Sequence, residues 1–173
     1  MAWFSKKSRD AAAPDDAGPV LETSAQIDTD PDVVGRPQAK PLTEEDEQRI
    51  ASALRALAER GVDVDDLSSI GAAYDAACAA QKGDGQGEAR EACELIGIAI
   101  GEHLHRHSTF KWAIVTDAFG TDLGLAAARS ETVVVPHNLV GARWMRRETG
   151  WIPGVVGHLV TLVPRAARPP DDT

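Results

Sequence analysis

Leu95-Ile-Gly97-Ile-Ala-Ile-Gly101-Glu102-His103-Leu-His105-Arg-His107 reads as one long helix, and Trp112-Ala-Ile-Val-Thr116, a few residues on, reads as strand. The change of period between these two stretches decides the fold. In the first, together with Ala92 and Cys93, apolar residues cover nearly every side, the mark of a helix buried on more than one face. Gly97 and Gly101 stand one turn apart and leave a face where another backbone can approach closely. That predicts a central helix, about Glu88 to His107, lying against a sheet. The segment is too short and too flanked by charge to cross a membrane, and no run of 18 apolar residues occurs anywhere.

Downstream, Trp112-Ala-Ile-Val-Thr116 and Leu123-Gly-Leu-Ala126 flank Phe119-Gly120-Thr121-Asp122, which has the glycine and aspartate of a hairpin turn. Asp117 and Asp122 beside that turn suit local bonds to backbone amides. Thr132-Val-Val-Val135 is a β-branched run stopped by Pro136, so three short strands predict an antiparallel meander. After Pro136, Asn138 is a candidate cap for a short helix carrying Leu139, Val140, Arg143 and Trp144. Pro153 suits the first turn of a last helix, although the valines at 155, 156, 160 and 163 fit a strand almost as well.

Upstream, Thr43-Glu-Glu-Asp46 has the form of a capping box, and Ile50, Leu54 and Leu57 recur on one helical face before Gly61. A second stripe, Leu67, Ile70, Tyr74, Ala77 and Cys78, predicts another helix running to about Gln81. Asp63-Val-Asp65-Asp66 resembles the start of a calcium loop but lacks its glycine and closing glutamate, so capping explains it better. Lys82-Gly-Asp-Gly-Gln-Gly87 lacks the Gly-Lys-Ser/Thr ending of a phosphate loop and reads as a turn. Residues 1–41 hold five of the ten prolines and scattered acids, with no sustained apolar period, and read as a disordered tail. Within it Trp3 and Phe4 beside Lys6, Lys7 and Arg9 have the composition of a membrane-surface anchor or a short docking peptide. Residues 164–173 read as a frayed end.

The chain has 173 residues and a net charge of −9, a balance that argues against nucleic acid as partner. Residues 1–110 carry 11 basic and 21 acidic groups, whereas residues 111–173 carry 7 and 6. The first residues contain no apolar core of a secretory signal. Cys78 and Cys93 lack a CxxC partner and fall on apolar stripes, which marks them as small buried hydrophobes. The chain therefore reads as cytoplasmic.

Chemistry-bearing patterns are sparse. His103 and His107 lie one turn apart and can clip a metal with Glu102 nearby and His137 or His158 as a third ligand, but the HExxH order is absent. Three histidines in a last turn also suit the negative end of a helix dipole, so no metal or other cofactor is assigned. No GxSxG elbow occurs, and Ser108 and Ser130 have no assigned base. Arg143, Trp144, Arg146, Arg147 and Trp151 group arginine with tryptophan, the pair most enriched at binding hot spots, and form the candidate binding patch.

From Leu95 to Arg143 the pattern Leu-Ile-Gly97, Gly101-Glu102, Trp112, Asp117, Phe119-Gly120, Leu123, Leu125, Val133, Pro136, Val140, Arg143 resembles an uncharacterised bacterial domain family, DUF 3806-like, common in actinobacteria. The resemblance implies a fold and no reaction. It gives Gly97, Gly101, Glu102, Trp112, Asp117, Gly120, Pro136 and Arg143 structural roles. A lone carboxylate at the end of so apolar a helix is costly without a cation, so Glu102 is expected to form a buried or half-buried ion pair with Arg143. The three histidines and the tail are not part of that pattern.

The expectation is one α+β domain over residues 42–163. Three N-terminal helices pack on a three-stranded antiparallel sheet, and helices follow. The expected role is a non-enzymatic module that binds another protein. The alternative is a small metal-dependent enzyme built on His103 and His107.

Overall fold

The computed structural model describes residues 37–81, 86–117, 120–127 and 131–164. Strand β1 (Gln38–Lys40) precedes helices α1 (Glu44–Glu59), α2 (Leu67–Ala80) and α3 (Gln86–His107). Strands β2 (Lys111–Asp117), β3 (Gly120–Ala127) and β4 (Thr132–Val134) follow, then helices α4 (Pro136–Trp144) and α5 (Ile152–Leu162). The α+β expectation holds.

Local chemistry sets the helix ends. The Thr43 hydroxyl accepts from the Asp46 amide while the Asp46 carboxylate accepts from the Thr43 amide at 2.9 Å, a complete capping box. At the other end of α1, Gly61 takes φ +74, Val62 N donates to Leu57 O at 2.9 Å and Gly61 N donates to Ala58 O at 3.0 Å. That is the left-handed stop a glycine permits. Asp66 caps α2 through the Ser68 amide at 2.8 Å. Ser108, wholly buried, donates to Leu104 O and accepts from Phe110 N at 3.2 Å, so its hydroxyl turns the chain from α3 into β2.

The sheet has order β1-β2-β3-β4 and is antiparallel throughout, with Trp112 opposite Leu125 and Leu125 opposite Val134. Four strands, not three, make it up. The additional one, β1, comes from the segment read as a tail and pairs Gln38 with Thr116 and Ala39 with Val115. Three residues show no alternation to read, because their strand state comes from pairing with β2. The rest of the predicted tail, residues 1–36, lies outside the described residues, as do 82–85, 118–119, 128–130 and 165–173. Pro164, placed in the frayed end, bridges Ser108.

Helix α3 is the hub. It packs against α1, α2, α4 and α5 and against β2 and β3, and Ile98, Ala99, Ile100 and Leu104 are fully buried. Helices α1 and α2 pack on α3, so the sheet receives α3 and not all three N-terminal helices. Fully burying residues such as Leu57, Ile70, Phe110, Leu125, Val140 and Ile152 contributes about 1.5–3 kcal/mol each.

Two further expectations change. The hairpin turn is tighter than read: Asp117 pairs with Gly120, so Gly120, Thr121 and Asp122 belong to β3. Helix α4 starts at Pro136 with Val135 at the N-cap and no side-chain cap bond, so Asn138 is inside the helix. Proline supplies the start there because it needs no amide partner. Residues 152–162 form helix, which resolves the two readings of that stretch.

The helix glycines admit rings, not a backbone. A Cβ on Gly101 would sit 2.1 Å from Trp112 Cη2, and one on Gly97 would sit 2.8 Å from His137 Cδ2. Gly141 in α4 has nothing within 4 Å. Gly101→Ala therefore destabilises by ~1–3 kcal/mol through overpacking. Gly141→Ala stabilises by ~0.5–1 kcal/mol through helix propensity. Thermal melts of the two variants are expected to move in opposite directions, and equal shifts refute the assignment. Comparing a chain that begins at Gly35 with one that begins at Pro41 tests β1: the shorter chain is expected to melt several degrees lower.

Candidate functional site

At the C-terminal turn of α3 the histidines are engaged by backbone and carboxylate. His103 is buried, and its Nδ1 lies 2.8 Å from Val64 O. His107 Nε2 lies 3.0 Å from Asp65 Oδ1, and the two rings stack with centroids 4.4 Å apart. His105 Nδ1 lies 3.1 Å from Phe110 O. Burial lowers the pKa of His103, with the Val64 carbonyl working the other way. Burial also opposes the charge of Asp65, but bonds from His107 and Arg106 outweigh it and hold that carboxyl below its ordinary value. Among the described residues no group of three or more His, Cys, Asp or Glu is arranged to hold a metal. His137 lies elsewhere, against Gly97, and His158 is exposed on α5.

Glu102 does not pair with Arg143. Its Oε1 accepts from Arg106 Nε at 2.8 Å and its Oε2 from Trp112 Nε1 at 3.1 Å. Arg106 also reaches Asp65 at 2.7 Å. The correction has a simple cause. Arg106 stands four residues on from Glu102, on the same helical face, and a local pair forms without bringing distant elements together.

Arg143 instead lies over Trp151, 4.4 Å from the ring centroid, and its Nη1 donates to Leu139 O at 3.2 Å. Trp144 and Trp151 are buried, each meeting Tyr74 edge-on at 5.8 and 5.6 Å. The two indoles of the predicted patch are therefore core, where ring quadrupoles favour edge-to-face packing. Burial pushes the Tyr74 phenol well above its ordinary range. Arg146 and Arg147 are exposed, and Arg147, at φ 53, donates to Gln81 O at 3.3 Å. The five residues do not form one surface. Cys78 is buried and Cys93 partly so, as expected, and burial raises the Cys93 thiol.

A second charged cluster was not read from the sequence. Arg49 of α1 grips Glu94 of α3 through two bonds of 2.6 Å, and His137 Nε2 of α4 lies 3.2 Å from Glu94 Oε2. Arg49 holds the Glu94 carboxyl below its ordinary value. Burial lowers the pKa of His137, partly offset by Glu94. No motif announces this cluster, because its members come from three helices separated in sequence.

An open recess lies beside β4. A groove of about 400 Å³ is lined by Val133, Val134, Val135, Leu139, Ala142 and Leu159, with Asp117 and Arg143 also on its walls. Val133 and Val134 of β4 line it, together with Val135, the N-cap of α4. Val133 and Val134 are adjacent and point to opposite faces, so the groove wraps the edge of β4 where the chain turns into α4. A smaller cleft of about 150 Å³ adjoins it, sharing Asp117, Val135 and Asn138 and adding Asp122 and Thr121. The sequence analysis named several of the lining residues, Asp117, Val133, Asn138, Leu139 and Arg143 among them, but not the groove, since it arises from the meeting of β4 with α4 and α5.

A sheet edged by a three-residue strand and backed by a hub helix defines an α+β domain with an open groove beside β4. The family described as Domain of unknown function (DUF3806) matches residues 66–154, just over half the chain, from the cap of α2 into α5. The chain belongs to that family. No curated protein and no solved structure matches it.

The histidine shifts predict a pH dependence. His103 and His137 both have folded pKa values below 6.5. The folded state therefore binds fewer protons, and its stability is complete above pH 6.5 and declines as pH falls below it. Asp46, Asp65 and Glu94, lowered from 3.8, 3.8 and 4.5, add a second loss at more acidic pH. The melting temperature is expected to drop between pH 7.5 and 5.5. His103→Gln combined with His137→Gln is expected to flatten that drop, and an unchanged slope in the double variant refutes the assignment.

Proposed function

We propose that this chain is a non-enzymatic, cytoplasmic module of an actinobacterial protein set that binds an extended segment of another protein along β4. One observation supports the reading: the groove along the edge of β4, about 400 Å³ and walled by valine, leucine and alanine. β4 has a neighbour on one side, β3, and stands at the edge of the sheet. An edge strand presents main-chain donors and acceptors, and an added peptide strand satisfies them while its alternate side chains enter a flanking recess. Asp117 and Arg143 add one charge of each sign to fix the direction of the guest.

Other features agree. No helix among the described residues is long and apolar enough to cross a membrane, and both cysteines are free thiols. Arginine outnumbers lysine 13 to 5, a bias that suits a genome rich in G and C. The alternative enzyme built on His103 and His107 has weaker support, since one ring nitrogen of each is engaged by Val64 and Asp65.

The test fills the groove. Ala142 is exposed on α4 at its wall, so Ala142→Trp occupies the groove without disturbing the core. Ala51→Trp, on the exposed face of α1, is the control. Affinity purification from producing cells is expected to retain a partner with the wild-type chain and with Ala51→Trp, and to lose it with Ala142→Trp. If the wild-type chain retains nothing that Ala142→Trp lacks, the reading fails.

A further inference from the structure

We propose that the groove along β4 is occupied in cis by the chain's own segment Trp3-Phe4-Ser-Lys6-Lys7-Ser-Arg9, which a partner segment must displace. The inference rests on the reading of that groove as a protein-binding site and names its regulator.

Placement comes first. The 36 residues that precede the described chain arrive at Pro37, and Gln38 pairs with Thr116, the neighbour of Asp117. Asp117 lines both the groove and the adjoining cleft. The incoming chain therefore enters beside the acidic end of the recess. Four strands at about 4.8 Å spacing put β4 about 14 Å from β1. Twenty-seven residues separate Arg9 from Pro37, and an extended chain of that length spans up to ~90 Å, so reach is no obstacle. A tethered ligand also acts at a high effective concentration, up to about millimolar, which lets a weak contact fill the site.

Chemistry is complementary along the groove. Asp117 and Asp122 lie where the recess meets the start of α4, beside Val135 and Asn138. Arg143 stands five residues beyond Asn138, about 7.5 Å along the helix. A segment entering from the Asp117 side brings Arg9, Lys7 and Lys6 first, against those two carboxylates. Phe4 and Trp3 then fall among Leu139, Ala142 and Leu159. The Arg143 guanidinium, 4.4 Å from the Trp151 ring and with its Nε 4.0 Å from Glu148 Oε1, stands on the groove wall and offers its cation to a second aromatic face. The reversed direction would set Lys6 and Lys7 against Arg143. The other terminal segment does not suit the groove. Residues 165–173 follow Pro164, which is tied to Ser108 at the end of α3, and contain no aromatic side chain.

The experiment uses the full chain with the photo-reactive residue benzoylphenylalanine in place of Phe4. Irradiated at low micromolar concentration, it is expected to cross-link within its own chain to Leu139, Ala142 or Leu159, read by mass spectrometry of the monomer band. Ala142→Trp is expected to abolish that product. Lys6→Glu with Lys7→Glu, or 0.5 M salt, is expected to reduce it several-fold, because surface charge attraction is screened. Cross-links between chains, which would make a second copy the occupant, overturn the proposal. So do cross-links to residues away from the groove, or no cross-link at all. If these occur while Ala142→Trp still abolishes partner capture, the groove remains the partner site and the cis occupant alone is refuted. If the cis cross-link forms but capture is indifferent to Ala142→Trp, the groove is refuted as the partner site.

Discussion

The Trp112 indole stands where a side chain on Gly101 would be, and the relation of sheet to helices depends on that contact. A Cβ at Gly101 would lie 2.1 Å from the ring, so β2 meets α3 closely at a position only glycine allows. The same ring donates to Glu102, the next residue of α3. Glu102 accepts also from Arg106, and Arg106 reaches Asp65 in the connection between α1 and α2. A carboxylate only 9% exposed is costly unless it is paired and bonded, and these partners satisfy both oxygens. One ring thus ties the sheet, the hub helix and the preceding connection together. Since the other four helices all pack on α3, their placement relative to the sheet follows from it.

Much of this was legible in the sequence and some could not be. Gly97 and Gly101 announced a close approach because nothing else explains two glycines one turn apart in so apolar a helix. What approaches them was not legible, since Trp112 and His137 come from different elements and only the fold brings each to its glycine. Glu102 was correctly read as needing a cation. The choice of Arg143 was wrong because a partner four residues along the same helix needs no long-range closure to reach it. Trp144 and Trp151 looked like surface anchors beside arginines. Their burial follows from Tyr74, a third ring seventy residues upstream, and no local pattern shows that three rings will meet. Strand β1 was invisible for the converse reason: three residues carry no period of their own.

The ends of α3 are held differently from its middle. Near its N-terminal half Glu94 draws in Arg49 and sits against His137, and near its C-terminus Glu102 and Arg106 draw in Asp65. Between them the helix is apolar and fully buried. Non-directional burial fixes that α3 is central, while the charged clusters fix its rotation and register against α1, α2 and α4. Such pairs add little net stability where they reach solvent, as the Arg49 and Arg106 side chains do, but a mispaired charge would disfavour alternative packings.

The same division explains where a binding surface can sit. Acidic excess is confined to residues 1–110, whereas residues 111–173, which supply every wall of the groove along β4, carry a net charge near +1. A recess with one aspartate and one arginine on its walls generates no strong single-signed field, so long-range steering contributes little to what it selects. Selection there must come from short-range terms: the width between β4 and α4, the main-chain groups of an edge strand, and the spacing of Asp117 from Arg143. These terms read the direction, the side-chain spacing and the placement of charge along an extended guest rather than its net charge alone. That requirement favours a peptide segment, whose regular main chain matches a strand edge, over a small charged metabolite.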